Sequence, residues 1–512
     1  MSDSVEIVKG TEQYDRWVEL PQALDFKVYI FNVTNVAEIQ NGILPRVEEI
    51  GPYVYSQTRK KYNIRFTRDG ERVSYYQQQH YTFNEEKSNG LREDDNIVVL
   101  NMHMNGILQI IEKESRRMVS NLTRGIEKTI DKIPSILQTV ETETPMLMQF
   151  INPELNNIFG PTTSFFLKTT PKQFLFDGVE FCKDPQAIAS VVCSSVEERQ
   201  SQSISRHPTT NSLLFSMFHH KNSTNDGLYE VNTGNRRPRN LLRIERWRNA
   251  RALPYWKSVP NAGPSTCQFI NGTDSTTAGP FREEGDDFYI YASDICRSVH
   301  LVYEGRTSFN GIQSFRYSTR DNFLNTPDKC FCVNKILNGL VEADGCLFRG
   351  ALDLTECLDA PIVATMPHYL DADERFGRMI DGMDPSEDKH SIFIDVEPMT
   401  GTPIRGGRKL QFNMFLRAIN GITLSNNFQT TRLFPVLWVD EGLELNDEMT
   451  QLIKDDLVNV LRLVAIIKWT TVGIGALLVV GMLVWFFIAR SKRTRTTSVE
   501  PIYPQGKSEG AN

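Results

Sequence analysis

Eight cysteines hold the most specific chemistry in this 512-residue chain. Cys182, Cys193, Cys267, Cys296, Cys330, Cys332, Cys346 and Cys357 form an even set, and six of them crowd between 267 and 357, as a local disulfide framework does. Zinc does not suit them: there is no CxxC, Cys330-Phe331-Cys332 is too tight for a knuckle, and no histidines complete a ligand set. Four sequons, opening at Asn32, Asn121, Asn222 and Asn271, agree with passage through an oxidising, glycosylating compartment. His219 and His220 have the chemistry of metal ligands or bases, but they stand beside the Asn222 sequon in a loop-like stretch and are expected to be solvated. His368, in MPHYL, is expected to be structural, and Asp371, Asp373 and Glu374 read as a solvated acidic turn. No GxSxG elbow, HExxH, P-loop or GxGxxG accompanies them, so no catalytic residue, metal or cofactor is assigned; an ecto-hydrolase is the enzymatic alternative.

The element that must position these residues relative to a bilayer is Trp469 to Ala489, twenty-one residues without a charge. As a helix it is long enough to cross a membrane, with aromatic residues toward both ends and Arg490, Lys492, Arg493 and Arg495 directly after it. The expected organisation is an ectodomain over 1–468, a membrane helix over 469–489 and a cytoplasmic tail over 490–512, with the disulfide-rich region at 267–357. The tail has five basic residues against two acidic ones, so the remainder is −10 of the total −7, which argues against nucleic acid as a partner. With 40% hydrophobic and 23% charged residues, the body is expected to fold around a large core. Met1 to Gly10 has no export signal, and a missing N-terminal segment is the expected explanation.

Alternation of β-branched and aromatic residues predicts a central strand over Phe26 to Thr34 and another from Gly51. Tyr62 to Thr67 and the returning Val73-Ser74-Tyr75, joined through Arg68-Asp69-Gly70-Glu71, read as a hairpin. Between about 103 and 160 the period changes: Ile107, Leu108, Ile110 and Ile111, then Ile126, Ile130 and Ile133, then Met146, Leu147, Phe150 and Ile151 recur at helical spacing. The strand pattern is expected to resume from Phe174, and 391–396 and 410–416 read as further strands. Leu410, Phe412, Met414 and Leu416 are expected on one inward face. Seven arginines between 236 and 251, opposed in sequence only by Glu245, are suited to an anionic ligand or to a solvated face.

The runs LPQALDFKVYIFNVTN, GPYVY, HHKNSTNDGLYEVNTG, CQFINGTD, SDICRS, CFC, MPHYL, IDVEPMTGTP and FPVLWVDEG occur in that order over nearly the whole chain. Together they resemble the class B scavenger receptor family, and LFDGVEFC with FKVYIFN is most similar to the insect sensory neuron membrane proteins. The resemblance implies an α+β fold: a large antiparallel β-barrel with an internal lipid tunnel, an apical helical bundle that includes 103–160, and a C-terminal transmembrane helix. It implies the pairings Cys267 with Cys330, Cys296 with Cys357 and Cys332 with Cys346, leaving Cys182 to Cys193. It also implies a plasma-membrane receptor, with a membrane helix at each end in the family, that captures lipophilic small molecules such as fatty-acid-derived odorants or pheromones. Delivery would be to the membrane or to odorant receptors, with odorant-binding proteins as further partners. An endocytic or sorting receptor for lipoprotein, protein or cell surfaces is the alternative.

Overall fold

Phe26, Val28 and Ile30 alternate with Lys27 and Tyr29, and the strand they form buries the first three on one side, as a period of two requires. Phe31 and Val33, on the other face of the strand, are buried too, with the Phe31 ring centroid 5.2 Å from that of His368. The computed structural model describes residues 6–127, 148–258, 263–319, 323–324, 329–333, 340–495, 506 and 510, without the side chains of 116–127 and 492–495. Expected helical positions Ile130, Ile133, Met146 and Leu147 lie outside the described residues.

The strands are β1 (Leu24–Val33), β2 (Val47–Phe66), β3 (Arg72–Phe83), β4 (Ile97–Leu100), β5 (Phe166–Thr169), β6 (Val179–Phe181), β7 (Ile204–Arg206), β8 (Leu213–Phe215), β9 (Asn225–Asn232), β10 (Ile244–Trp247), β11 (Phe288–Ala292), β12 (Arg297–Phe309), β13 (Ile312–Ser318), β14 (Ala351–Asp353), β15 (Val363–Thr365), β16 (Phe393–Val396), β17 (Pro403–Leu416) and β18 (Arg432–Glu444). Thirteen of them make one antiparallel sheet in the order β10-β9-β3-β2-β1-β18-β17-β16-β13-β12-β11, with β15 against β17 and β14 beyond it. β1 is central, and β2 with β3 is the hairpin read from the sequence.

Among the described residues the sheet is not a closed barrel. Its edge strands β10 and β11 do not pair with each other; Gly272 and Thr273 lie between them, with Ile244 N–H donating to Gly272 at 2.9 Å and Tyr291 N–H to Thr273 at 3.0 Å. This approach is possible because residue 272 is glycine, with φ at +96° and the position of a Cβ only 2.0 Å from the Tyr289 carbonyl oxygen.

One expectation needs correction. The stretch from Phe174 is not a run of strand: Gln173–Asp177 is a wide helical turn, β6 has three residues, and a helix occupies Ala187–Glu198. Along β17 the residues from Gln411 to Leu416 are all buried, so neither face meets solvent. Gln411 donates to Asn413, which donates to the Val363 carbonyl and Thr365 of the neighbouring strand β15, while Phe415 packs in a cluster with Phe348, Tyr369 and Phe376.

The helices used below are α1 (Met102–Glu127), α2 (Leu155–Phe159), α3 (Ala187–Glu198) and α4 (Asn459–Arg495). Residues Met1–Leu445 form one compact unit and Asn446–Asn512 a second. In the second, α4 has 37 residues, about 55 Å at helical rise, against a hydrocarbon core of about 30 Å. Leu477, Trp485 and Phe487 are among its exposed apolar side chains. Such an unburied apolar surface needs lipid around it.

Candidate functional site

α1 begins at Asn101, whose side-chain oxygen accepts from Met104 N–H at 3.1 Å while its amide donates to the Thr162 and Ser164 carbonyls at 2.8 and 2.7 Å. The cap thus fixes the start of α1 against the chain that follows α2. One face of α1, with Met102, Gly106, Ile107, Ile110 and Ile111, borders a cavity of about 460 Å³. α3 forms the opposite wall through Ile188, Val191, Val192, Ser195 and Val196, and Cys182–Cys193 ties that helix to the end of β6. The spacing of 188, 191, 192, 195 and 196 is helical, and it is the sequence signal that locates this wall. Met414 and Ile362 also line it.

Three charges also border the cavity: Arg199 contacts Glu114 at 3.0 Å and Asp359 at 3.1 Å. Burial raises the Asp359 carboxyl against the pull of Arg199. His103 lies in the wall with 2% of its surface exposed, and burial pushes its pKa down to about 3.

A second cavity, about 320 Å³, has a different character. Arg59, Lys221, Arg408, Asp226 and Asp294 border it. Burial disfavours the Asp294 carboxylate, yet Lys221 at 2.6 Å and Arg408 at 3.7 Å prevail and hold it well below the usual carboxylate range. Asp226 is shifted the other way by burial, against hydrogen bonds from Tyr229 and Ser293. His220 also borders this chamber; burial and neighbouring Lys221 push it down to about 4, so the expected solvated pair is half wrong, and only His219 is exposed. Ser203 and Ile362 belong to the walls of both cavities. β17 contributes Met414 to the first and Phe412 to the second, whereas its expected companion Leu410 lines neither.

His368, Glu49 and His390 bring potential metal ligands within 4.8 Å of one another. Their hydrogen bonds do not fit a metal. His368 Nδ1 accepts from Asp384 N–H and His390 Nδ1 from Ser386 N–H, each at 3.0 Å, which puts the ring proton of each neutral imidazole on Nε2. His368 Nε2–H then donates to Glu49, which also accepts from Trp438. This cluster fastens the MPHYL turn to β2 and β18. Asp373 caps the following helical turn and pairs with Arg375, and Glu374 pairs with Arg378.

Partners from other elements meet several of the clustered arginines. Arg236 pairs with Glu71 at 2.6 Å, Arg239 with Glu283 and Asp286, and Arg248 Nε donates to the Asp226 carbonyl at 3.0 Å. The other disulfides join Cys267 to Cys330, Cys296 to Cys357 and Cys332 to Cys346. Of the sequon asparagines, Asn32 accepts from Val98 N–H at 2.8 Å, Asn222 from Tyr81 N–H at 3.2 Å, and Asn271 is half-buried; the Asn121 side chain lies outside those described.

The burial of His103 has a measurable consequence. Its ordinary pKa is near 6.5 and its folded value about 3, so between them the unfolded chain binds the extra proton and stability falls as pH falls. The slope from this residue is about 1.4 kcal/mol per pH unit. Thermal melts between pH 6.5 and 5 should show that loss, and His103→Phe should make it shallower; an unchanged slope in the variant would show that the imidazole is not held neutral.

Comparison with known proteins places these features in a family. The profile of the CD36 family matches residues 1–486. Sensory neuron membrane protein 2 of Anopheles gambiae is 45% identical over 98% of this chain and 90% of its own length. The protein of that name from Aedes aegypti is 46% identical over 97% and 95%, and that from Drosophila melanogaster 42% over 96% and 93%. With the match running through the large unit and into the long apolar helix, the chain belongs to the CD36 family and is a membrane protein of the sensory neuron membrane protein type.

Proposed function

We propose that the protein is a non-enzymatic receptor that takes small lipophilic molecules into the apolar cavity and passes them through the charged chamber toward the membrane. The observation that supports this most strongly is the sharing of Ser203 and Ile362 between the two cavity walls. Each buried methylene stabilises a lipid chain by about 0.8 kcal/mol, so leaving one hydrophobic environment for another through water is slow, and a sheltered path removes that barrier. The apolar cavity falls within the range of about 300–1,000 Å³ typical of small-molecule sites. In this reading the large sheet acts as a barrel-like wall around a continuous tunnel, with 103–160 as its apical helical insertion.

Four disulfides and the basic residues after Ala489 favour an exported body over 1–468, a span over 469–489 and a cytosolic tail. Glycans would then be carried on Asn32, Asn121, Asn222 and Asn271. The names of the relatives favour a sensory neuron as the setting. The motif resemblance adds fatty-acid-derived odorants or pheromones as proposed cargo, and odorant receptors and odorant-binding proteins as proposed partners. Lipid mass spectrometry on the purified full chain should recover a recurring fatty alcohol, ester or acid absent from a mock purification. Recovery of no lipid above the mock level would contradict the reading.

A further inference from the structure

The apolar cavity has one charged end. Ile188 near the start of α3 and Arg199 just past its last turn both border it, about 16 Å apart at helical rise. Arg199 joins Glu114 of α1 at 3.0 Å to Asp359, ahead of β15, at 3.1 Å. Lys113 pairs with Glu356 at 3.0 Å, and both lie close enough to act on Asp359. Two cations against three carboxylates leave this end with a net charge of −1. Among the described residues no other ionised group borders the cavity, since burial keeps His103 neutral. The Arg199, Glu114 and Asp359 side chains are 31, 36 and 48% exposed, so they stand open to a bound head group instead of being sealed in the wall.

We infer that the Arg199, Glu114 and Asp359 triad makes the cavity take uncharged lipophiles, alcohols and esters, and reject those with an anionic head group. An anion beside Arg199 meets a guanidinium whose charge two carboxylates already outweigh. The repulsion acts through the field and requires contact with no single atom. An alcohol or ester oxygen has no net charge and escapes it. This inference rests on the reading of the cavity as a lipid site and narrows its cargo to one charge class.

The test displaces an uncharged fluorescent fatty ester from the full chain in zwitterionic nanodiscs, with dodecanol or dodecanesulfonate as competitor, each corrected for partitioning into protein-free discs. An apolar wall alone also disfavours an anion, but that desolvation does not respond to salt, whereas repulsion between charges is screened. Dodecanol should compete at least about tenfold better than the sulfonate at about 0.1 M salt. At about 1 M, where the Debye length has fallen from about 10 Å to about 3 Å, the ratio should shrink at least about threefold. Glu114→Gln combined with Asp359→Asn frees the Arg199 charge and should lower the ratio at least about tenfold, whereas Arg199→Gln should raise it. Opposite changes separate charge from a loosening of the walls, and the salt series on the parent decides even where a variant misfolds. A salt-independent ratio in the parent, or an unchanged ratio in the double variant, would overturn the assignment to the triad while leaving the cavity as a lipid site. Displacement by neither compound would overturn both.

Discussion

Glu441→Ala should destabilise the large unit by about 3–5 kcal/mol, the effect of removing one member of a buried ion pair. Glu441 on β18 accepts from Arg59 on β2 and from Arg408 on β17, and the Arg59 and Glu441 side chains are only 7% and 8% exposed. Without the carboxylate, Arg59 keeps its charge inside the protein with no direct counter-ion, and its Nε already lacks a partner. Coulomb attraction does not make such a pair a large net gain, since both ions were desolvated to form it. The same reasoning predicts rescue: Arg59→Met combined with Glu441→Leu should recover most of the lost stability. Thermal or denaturant unfolding of the full chain checks both statements. A Glu441→Ala midpoint indistinguishable from the parent would show that Arg59 finds water or another anion in the chamber.

This pair also marks where sequence reading stops. Arg59 and Glu441 are separated by 382 residues, and nothing in either local pattern announces the other. Likewise Arg236 and Arg239 find Glu71, Glu283 and Asp286 on other parts of the sheet, so a stretch that looks electropositive in sequence is partly neutralised in space. Local periodicity succeeds where burial alternates within one element: Phe26, Val28 and Ile30 in β1, the β2–β3 hairpin, and the apolar helix ending in a basic cluster. On α3 the signal is present but overshadowed: Ile188, Val191 and Val192 have helical spacing and follow the aromatic run Phe174 to Phe181. Those ring-bearing residues suggest strand, although the chain there makes a wide helical turn and only three residues of β6. On β17, alternation assigns Phe412 and Met414 to the cavity side, but it cannot reveal that Phe415 on the other side is buried as well, in a cluster with Phe348, Tyr369 and Phe376.

The largest functional effect is expected at the boundary between the cavities. Ser203 is half-buried just ahead of β7 and lines both, so an indole there occupies the path without removing a core contact. Forcing a ring into such a passage adds about 1–3 kcal/mol. As a barrier, that slows delivery by roughly 5- to 150-fold. Ile362 borders both cavities too, but at 4% exposure its enlargement also strains the core, which makes Ser203→Trp the cleaner change. The decisive measurement is delivery of radiolabelled dodecanol into cells displaying the full chain, read beside surface display and binding of the same compound. Ser203→Trp should reach the surface and bind dodecanol while delivering it at least about fivefold more slowly than the parent. Delivery at the parent rate by a displayed, dodecanol-binding Ser203→Trp would contradict passage from the apolar cavity into the charged chamber.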